Sequence, residues 1–158
     1  MNTITEVMGQ DHDRLDGLFN AFQSLKHSEF GRARGFFSEF KRGLQRHIVW
    51  EEELLFPLFE NQTGLLDRGP TAVMRMEHRL IKDSLEELHE RLLNGAVTTD
   101  DCEQGLLSLL TAHNTKEELV LYPWMDENVS EQEVQEILAR MKALPMERYS
   151  HDLREVPR

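Results

Sequence analysis

Residues 47–60 read HIVWEEELLFPLFE and residues 113–126 read HNTKEELVLYPWMD. Each opens on His, carries Glu-Glu at its fifth and sixth places and reaches Pro at its eleventh. The two stretches are the most visible part of a longer repeat. A shift of 66 residues lays His12 on His78, His47 on His113, Glu51 on Glu117, Glu52 on Glu118, Leu55 on Leu121 and Pro57 on Pro123. Upstream, Met8 falls on Met74, Asp11 on Glu77 and Leu15 on Ile81. A separation of 35 residues divides His12 from His47, and the same separation divides His78 from His113. Each half is therefore one helical hairpin, with His on its first helix and His-x-x-x-Glu on its second.

Apolar residues around these motifs recur at three- and four-residue steps, the period of an amphipathic helix. The first stripe is Ile4, Val7, Met8, Leu15, Leu18, Phe19, Phe22 and Leu25. The second runs from Phe36 to Leu58, with Ser28 as its expected cap; the third carries Val73, Met74, Ile81, Leu85, Leu88 and Leu92. The fourth carries Leu106, Leu109, Leu110, Val120, Leu121 and Trp124. Pro70 suits the first turn of the third helix, Asn94-Gly95 its end, and Thr98 the cap of the fourth. SEQE at 130–133 reads as a capping box for a short fifth helix, which Pro145 stops. The expected fold is all-α: an up-down-up-down four-helix bundle over residues 1–145 with a short fifth C-terminal helix, followed by a polar tail at 146–158.

The six repeated polar residues fall on the apolar stripes. His12 lies three before Leu15, His47 three after Leu44, Glu51 three before Leu54, His78 three before Ile81, His113 three after Leu110 and Glu117 three before Val120. A His and a Glu four apart share one helix face. An unpaired carboxylate in an apolar interior costs several kcal/mol, against a folding margin of about 5–15 kcal/mol for a whole domain. No matching set of Lys or Arg lies on the stripes. Metal ions resolve the conflict: neutral imidazole and carboxylate are both ligands, and binding supplies free energy to folding. Two equivalent ligand sets suit two ions, with Glu51 and Glu117 shared between them. Nitrogen and oxygen donors without thiolate fit iron, manganese or zinc. Among the aromatic residues, Tyr122 falls nine residues after His113, half a turn off the ligand face, and reads as packing together with Trp50, Phe56 and Trp124. Glu86-x-x-His89 reads as a solvated helix face, and Glu52 and Glu118 as either acceptors for ligand N–H groups or exposed carboxylates.

The motifs QDHDRL, HIVWEE, MEHRLI and HNTKEE, spread over residues 4–126, resemble the hemerythrin-like family, the HHE cation-binding domain. The resemblance implies a non-haem di-iron centre, oxo- or hydroxo-bridged, inside a four-helix bundle. Its ligands by matching position are His12, His47, Glu51, His78, His113 and Glu117. Oxygen carriers of the family have a further His one turn before the third-helix ligand, where this chain has Met74. They also have Asp five residues after the last His, where this chain has Glu118, next to Glu117. The departure resembles the four-histidine branch. It implies a centre that binds or senses dioxygen or nitric oxide, or alternatively reduces peroxide or nitric oxide, oxidises ferrous iron, or donates iron in iron-sulfur repair. The expected partners are a small gas or peroxide ligand and a redox partner protein.

Bulk properties narrow the setting. The chain has 158 residues and a formal net charge of -11, which disfavours nucleic acid and anionic lipid as partners. No stretch is apolar enough to span a membrane. Cys102 is the lone cysteine, and MNTITEVMGQDHD has neither a basic nor an apolar run, so no signal peptide is expected. The expected location is a reducing cytoplasm.

Overall fold

A computed structural model describes residues 2–96 and 98–150. Five helical rods carry the fold, and there is no strand among the described residues. Helix α1 is Ile4–Leu25. Helix α2 starts as Phe30–Trp50, passes through a π-helical turn at Glu51–Leu55, and continues α-helically over Phe56–Thr63. Helix α3 is Pro70–Leu93. Helix α4 repeats the design of α2: Asp100–Lys116, a π-helical turn at Glu117–Leu121, then Tyr122–Asn128. Helix α5 is Glu131–Ala143. The expected four-helix bundle with a short fifth helix is what the chain forms.

Local chemistry sets the helix ends. Thr3 and Glu6 form a capping box on α1, and Ser130 with Glu133 forms the one expected on α5. Pro70 occupies the first turn of α3, where a missing N–H costs nothing. Gly64 and Gly95 end helices at φ 74°, a left-handed conformation that glycine enters without steric cost. Two expected caps move by one residue. Helix α2 is preceded by Glu29 rather than Ser28, and α4 by Thr99 rather than Thr98. The Thr99 hydroxyl is engaged with Glu103, 2.6 Å away, a buried carboxylate that also receives Lys26.

The two π turns lie at repeat-equivalent places, each closed by a bond from the residue five on: Phe56 N–H to the Glu51 carbonyl, and Tyr122 N–H to the Glu117 carbonyl. The prolines explain them. In an unbroken α-helix Pro57 and Pro123 would withhold a donor and press their rings on a carbonyl one turn back. A widened turn ending just before each proline relieves the clash. Arg75 Nη2 donates to the Glu52 carbonyl within the first π turn at 3.3 Å.

The core divides into two apolar clusters with a polar layer between them. One holds Phe19, Phe22, Phe37, Phe40, Ile81, Leu85, Leu88 and Leu106. The other holds Ile4, Met8, Phe56, Phe59, Met74, Leu121 and Met125, closed by Val134, Ile137 and Met141 of α5. Burying each large side chain contributes about 1.5–3 kcal/mol. The hairpins are fastened crosswise near this second cluster. Asp126 of α4 accepts from Ile4 N (2.8 Å), Thr5 N (3.0 Å) and Thr5 Oγ1 (2.5 Å) at the start of α1. Glu60 of α2 accepts from Thr71 Oγ1 (2.7 Å) at the start of α3, the same contact shifted by the repeat.

Not every stripe residue is buried. Val73 and Val120 are exposed; the π turn carries Val120 outward while Leu121 turns in. Beyond α5, Met146–Arg148 makes one 3₁₀ turn and Tyr149 packs against Val49, while residues 151–158 of the expected tail lie outside the described residues.

Candidate metal centre

The six repeated residues converge in the polar layer. His12, His47, Glu51, His78, His113 and Glu117 are all buried, Glu51 and Glu117 completely. Their ligand atoms form two groups, each close enough to surround a cation: Glu51, His78, His113 and Glu117 in one, His12, His47 and Glu117 in the other. Glu117 is common to both.

All four imidazoles turn Nε2 inward. His12 Nε2 lies 3.3 Å from Glu117 Oε1, and His113 Nε2 lies 3.3 Å from Glu117 Oε2. His78 Nε2 lies 3.1 Å and His47 Nε2 3.7 Å from Glu51 Oε1. The opposite nitrogens face carboxylates. His47 Nδ1 donates to Asp11 (2.8 Å), His113 Nδ1 to Glu77 (2.9 Å) and His78 Nδ1 to Glu52 (2.7 Å). His12 Nδ1 is 3.6 Å from Glu118, too far for a hydrogen bond. A carboxylate on one ring nitrogen fixes the tautomer and makes the other a better metal donor. Glu52 thus resolves as an acceptor behind a histidine ring, and Asp11 and Glu77 join it in that role, whereas Glu118 resolves as an exposed carboxylate near His12. The signal for Asp11 and Glu77 was in the sequence, since each immediately precedes a repeated His and each falls on the other under the repeat.

Tyr122 overturns its reading as packing. In a uniform α-helix nine residues from His113 amount to half a turn, at about 100° per residue. The π turn absorbs one residue and places Tyr122 one wide turn beyond Glu117. Its hydroxyl donates toward Glu51 Oε2 (2.7 Å) and Glu117 Oε1 (2.9 Å), and lies 3.2 Å from His47 Nε2 and 3.5 Å from His12 Nε2. Phe56, its repeat partner, stacks on His78 instead, with ring centroids 5.7 Å apart. Two further expectations change. Lys82 is a buried cation on the α3 stripe, 3.5 Å from Glu52. Glu86 is buried and paired with Lys41 at 2.7 Å, and His89 stacks on Phe37, so that pair joins helices rather than facing solvent.

Protonation follows from this crowding. Burial opposes charge on His113, but Glu117, Glu51 and Glu77 prevail and push it up to about 9. His78 and His12 are raised for the same reason, burial being outweighed by Glu51 and Glu52 in one case and by Glu117 in the other. Burial and the neighbouring Glu117 raise Glu51. Burial also works against Glu117, yet the neighbouring Glu51 carboxyl and the charge of His113 hold it well below the usual carboxylate range. Burial beside both glutamates raises the Tyr122 phenol well above its ordinary value. Even so, buried Glu117 Oε2, on the inner side of the layer, has no hydrogen-bond partner; His12 Nδ1, on the outer side of its ring, has none either. A layer of carboxylates and imidazoles with polar atoms left over is what cations complete, so the residues fit a metal.

The family profile "Hemerythrin HHE cation binding domain" matches residues 3–125. The chain belongs to the hemerythrin HHE cation-binding family. An uncharacterized hemerythrin-like protein of Schizosaccharomyces pombe is 26% identical over 133 residues, which are 84% of this chain and 64% of that protein. This chain therefore spans just under two thirds of that relative's length. No solved structure matches. The HHE domain binds metal cations, and here its His/Glu clusters can hold them. No helix among the described residues is long and apolar enough to cross a membrane.

Proposed function

We propose that this HHE domain holds two iron ions, bound by His12, His47, Glu51, His78, His113 and Glu117, and that the centre binds or senses dioxygen or nitric oxide in a reducing cytoplasm. The observation that carries the reading is the orientation of the four histidines. Every Nε2 faces the two buried glutamates, and every Nδ1 faces a carboxylate. Oxygen and nitrogen donors without thiolate suit iron in either common oxidation state. Such a pair would supply redox-active metal for binding a small ligand. The protein's own part is to hold the donors in place, keep Nε2 of each ring unprotonated when loaded, and exclude bulk water through the apolar clusters above and below.

The test is metal analysis of protein from iron-supplemented cells, followed by stopped-flow spectroscopy of the reduced protein mixed with dioxygen and with nitric oxide. Two irons per chain and a reversible spectral change with either gas are expected. Steady consumption of the gas or of peroxide with a reductant would replace binding by catalysis. Iron lost to a chelator within minutes would favour iron supply, and manganese or zinc in place of iron would refute the iron assignment.

A further inference from the structure

We propose that the Tyr122 phenol oxygen is an additional ligand, binding the ion held by His12 and His47, so that the two ions differ in coordination. The inference rests on the two-iron reading and goes beyond it in assigning a residue that the His/Glu pattern does not contain.

With metal bonds to nitrogen and oxygen of about 2.0–2.2 Å, neighbouring ligands around one octahedral ion stand about 3 Å apart. Tyr122 Oη is 2.7 Å from Glu51 Oε2, 2.9 Å from Glu117 Oε1, 3.2 Å from His47 Nε2 and 3.5 Å from His12 Nε2. It therefore has the spacing of a fellow ligand to the three donors His12, His47 and Glu117, with Glu51 within hydrogen-bond distance besides. The His12, His47 and Glu117 group is one donor short of the other group, and the phenol oxygen lies on that side.

A phenol carries one hydrogen. Two carboxylate oxygens and two ring nitrogens converge on it, so one O–H cannot serve them all. Glu117 Oε2, on the same carboxylate, has no hydrogen-bond partner. A cation among these atoms would meet the lone pairs that one O–H leaves over, Glu117 Oε2 included. On ligation the O–H bond breaks, its electron pair stays on oxygen to form the bond to the metal, and the proton leaves to bulk water.

Phe56 holds the repeat-equivalent position over His78 and has no oxygen to give. The extra ligand therefore exists on one ion only.

The chain has two tyrosines, and Tyr149 packs away from the site against Val49, so a tyrosinate signal has one source. The experiment loads the full chain with an iron(II) salt, oxidises it in air, and records iron content, visible absorption and resonance Raman spectra. Wild type is expected to show a phenolate-to-iron(III) charge-transfer band with tyrosinate ring modes. Tyr122→Phe should lose both while keeping two irons per chain, and Tyr149→Phe should keep both. Two irons in wild type without tyrosinate modes, or a band that survives in Tyr122→Phe, overturns the inference and leaves the two-iron reading intact. Wild type that takes up no iron overturns both. Should Tyr122→Phe fail to fold, the wild-type Raman spectrum beside Tyr149→Phe still decides the matter.

Discussion

Under the 66-residue shift the two hairpins agree at each His and Glu of the site and part company in what surrounds them. Where the α3 side has Arg75, its guanidinium 5.3 Å over Phe56, the α1 side has Gly9. Where α3 has buried Lys82 beside Glu52, α1 has exposed Asp16. Glu52 is 13% exposed and bonds His78 at 2.7 Å; Glu118 is 40% exposed and stands 3.6 Å from His12. The six buried polar residues are the same in both halves, where any buried charge must be matched, and the residues around them differ. The His78 side is closed and charge-compensated, and the His12 side is looser and nearer to solvent.

The sharpest way to break this contrast is at the shared glutamates. Glu117 belongs to both ligand groups and Glu51 to one. Glu117→Ala should abolish binding of both ions, whereas Glu51→Ala should retain the ion at His12 and His47, as read by metal stoichiometry. Loss of metal should also remove about 4 kcal/mol of stability if the ion is supplied at a thousandfold its Kd. Equal stoichiometry in the two variants would erase the distinction.

Next come the carboxylates behind the rings. Asp11→Asn and Glu77→Gln should each weaken metal binding by about 10–100-fold in a competition titration. Glu118→Gln, acting across 3.6 Å, should weaken it only a few-fold. An effect as large as the others would place His12 on the same footing as its three counterparts.

The pH dependence separates stripped from loaded protein. In the metal-free fold His113 is raised from 6.5 to about 9, so the stability it contributes is complete below pH 6.5 and is lost as pH rises through about 9. Metal needs the neutral ring and gains affinity over the same window. The difference in Tm between loaded and stripped protein should therefore widen from pH 6.5 to 9. A gap that narrows would contradict the raised His113.

The smallest effect is at Gly9. A Cβ there would lie 3.3 Å from Glu118 Oε1, the end of a half-exposed side chain that can give way. Gly9→Ala should raise Tm slightly, since glycine within a helix costs roughly 0.5–1 kcal/mol relative to alanine. A marked loss of stability would mean the His12 side is packed as tightly as the Arg75 side.

The bundle and its six core polar residues were legible because helical period and internal repeat pointed the same way, and because buried His and Glu demand an explanation that surface ones do not. Helix starts were legible to within a residue, as neighbouring Ser28-Glu29 and Thr98-Thr99 offer similar chemistry. Tyr122 was not legible. Its position was counted with an α-helical period through a turn that is π-helical, and its repeat partner is Phe56, so neither periodicity nor self-comparison marked it. Only Pro57 and Pro123 hinted that the period changes there. Lys82 escaped because charged side chains with long apolar stems fit a stripe without interrupting it.

The Thr5–Asp126 and Thr71–Glu60 fastenings have a consequence for ancestry. Each hairpin carries a threonine at one tip and an acceptor carboxylate at the other, and each offers them to the opposite hairpin. Two identical copies of either hairpin, related by a true two-fold axis, would possess the same pair of clasps. The arrangement is that of a homodimer of half-length chains written onto one polypeptide. Within one polypeptide the two copies need not match, and Phe56 stands where the other hairpin has Tyr122.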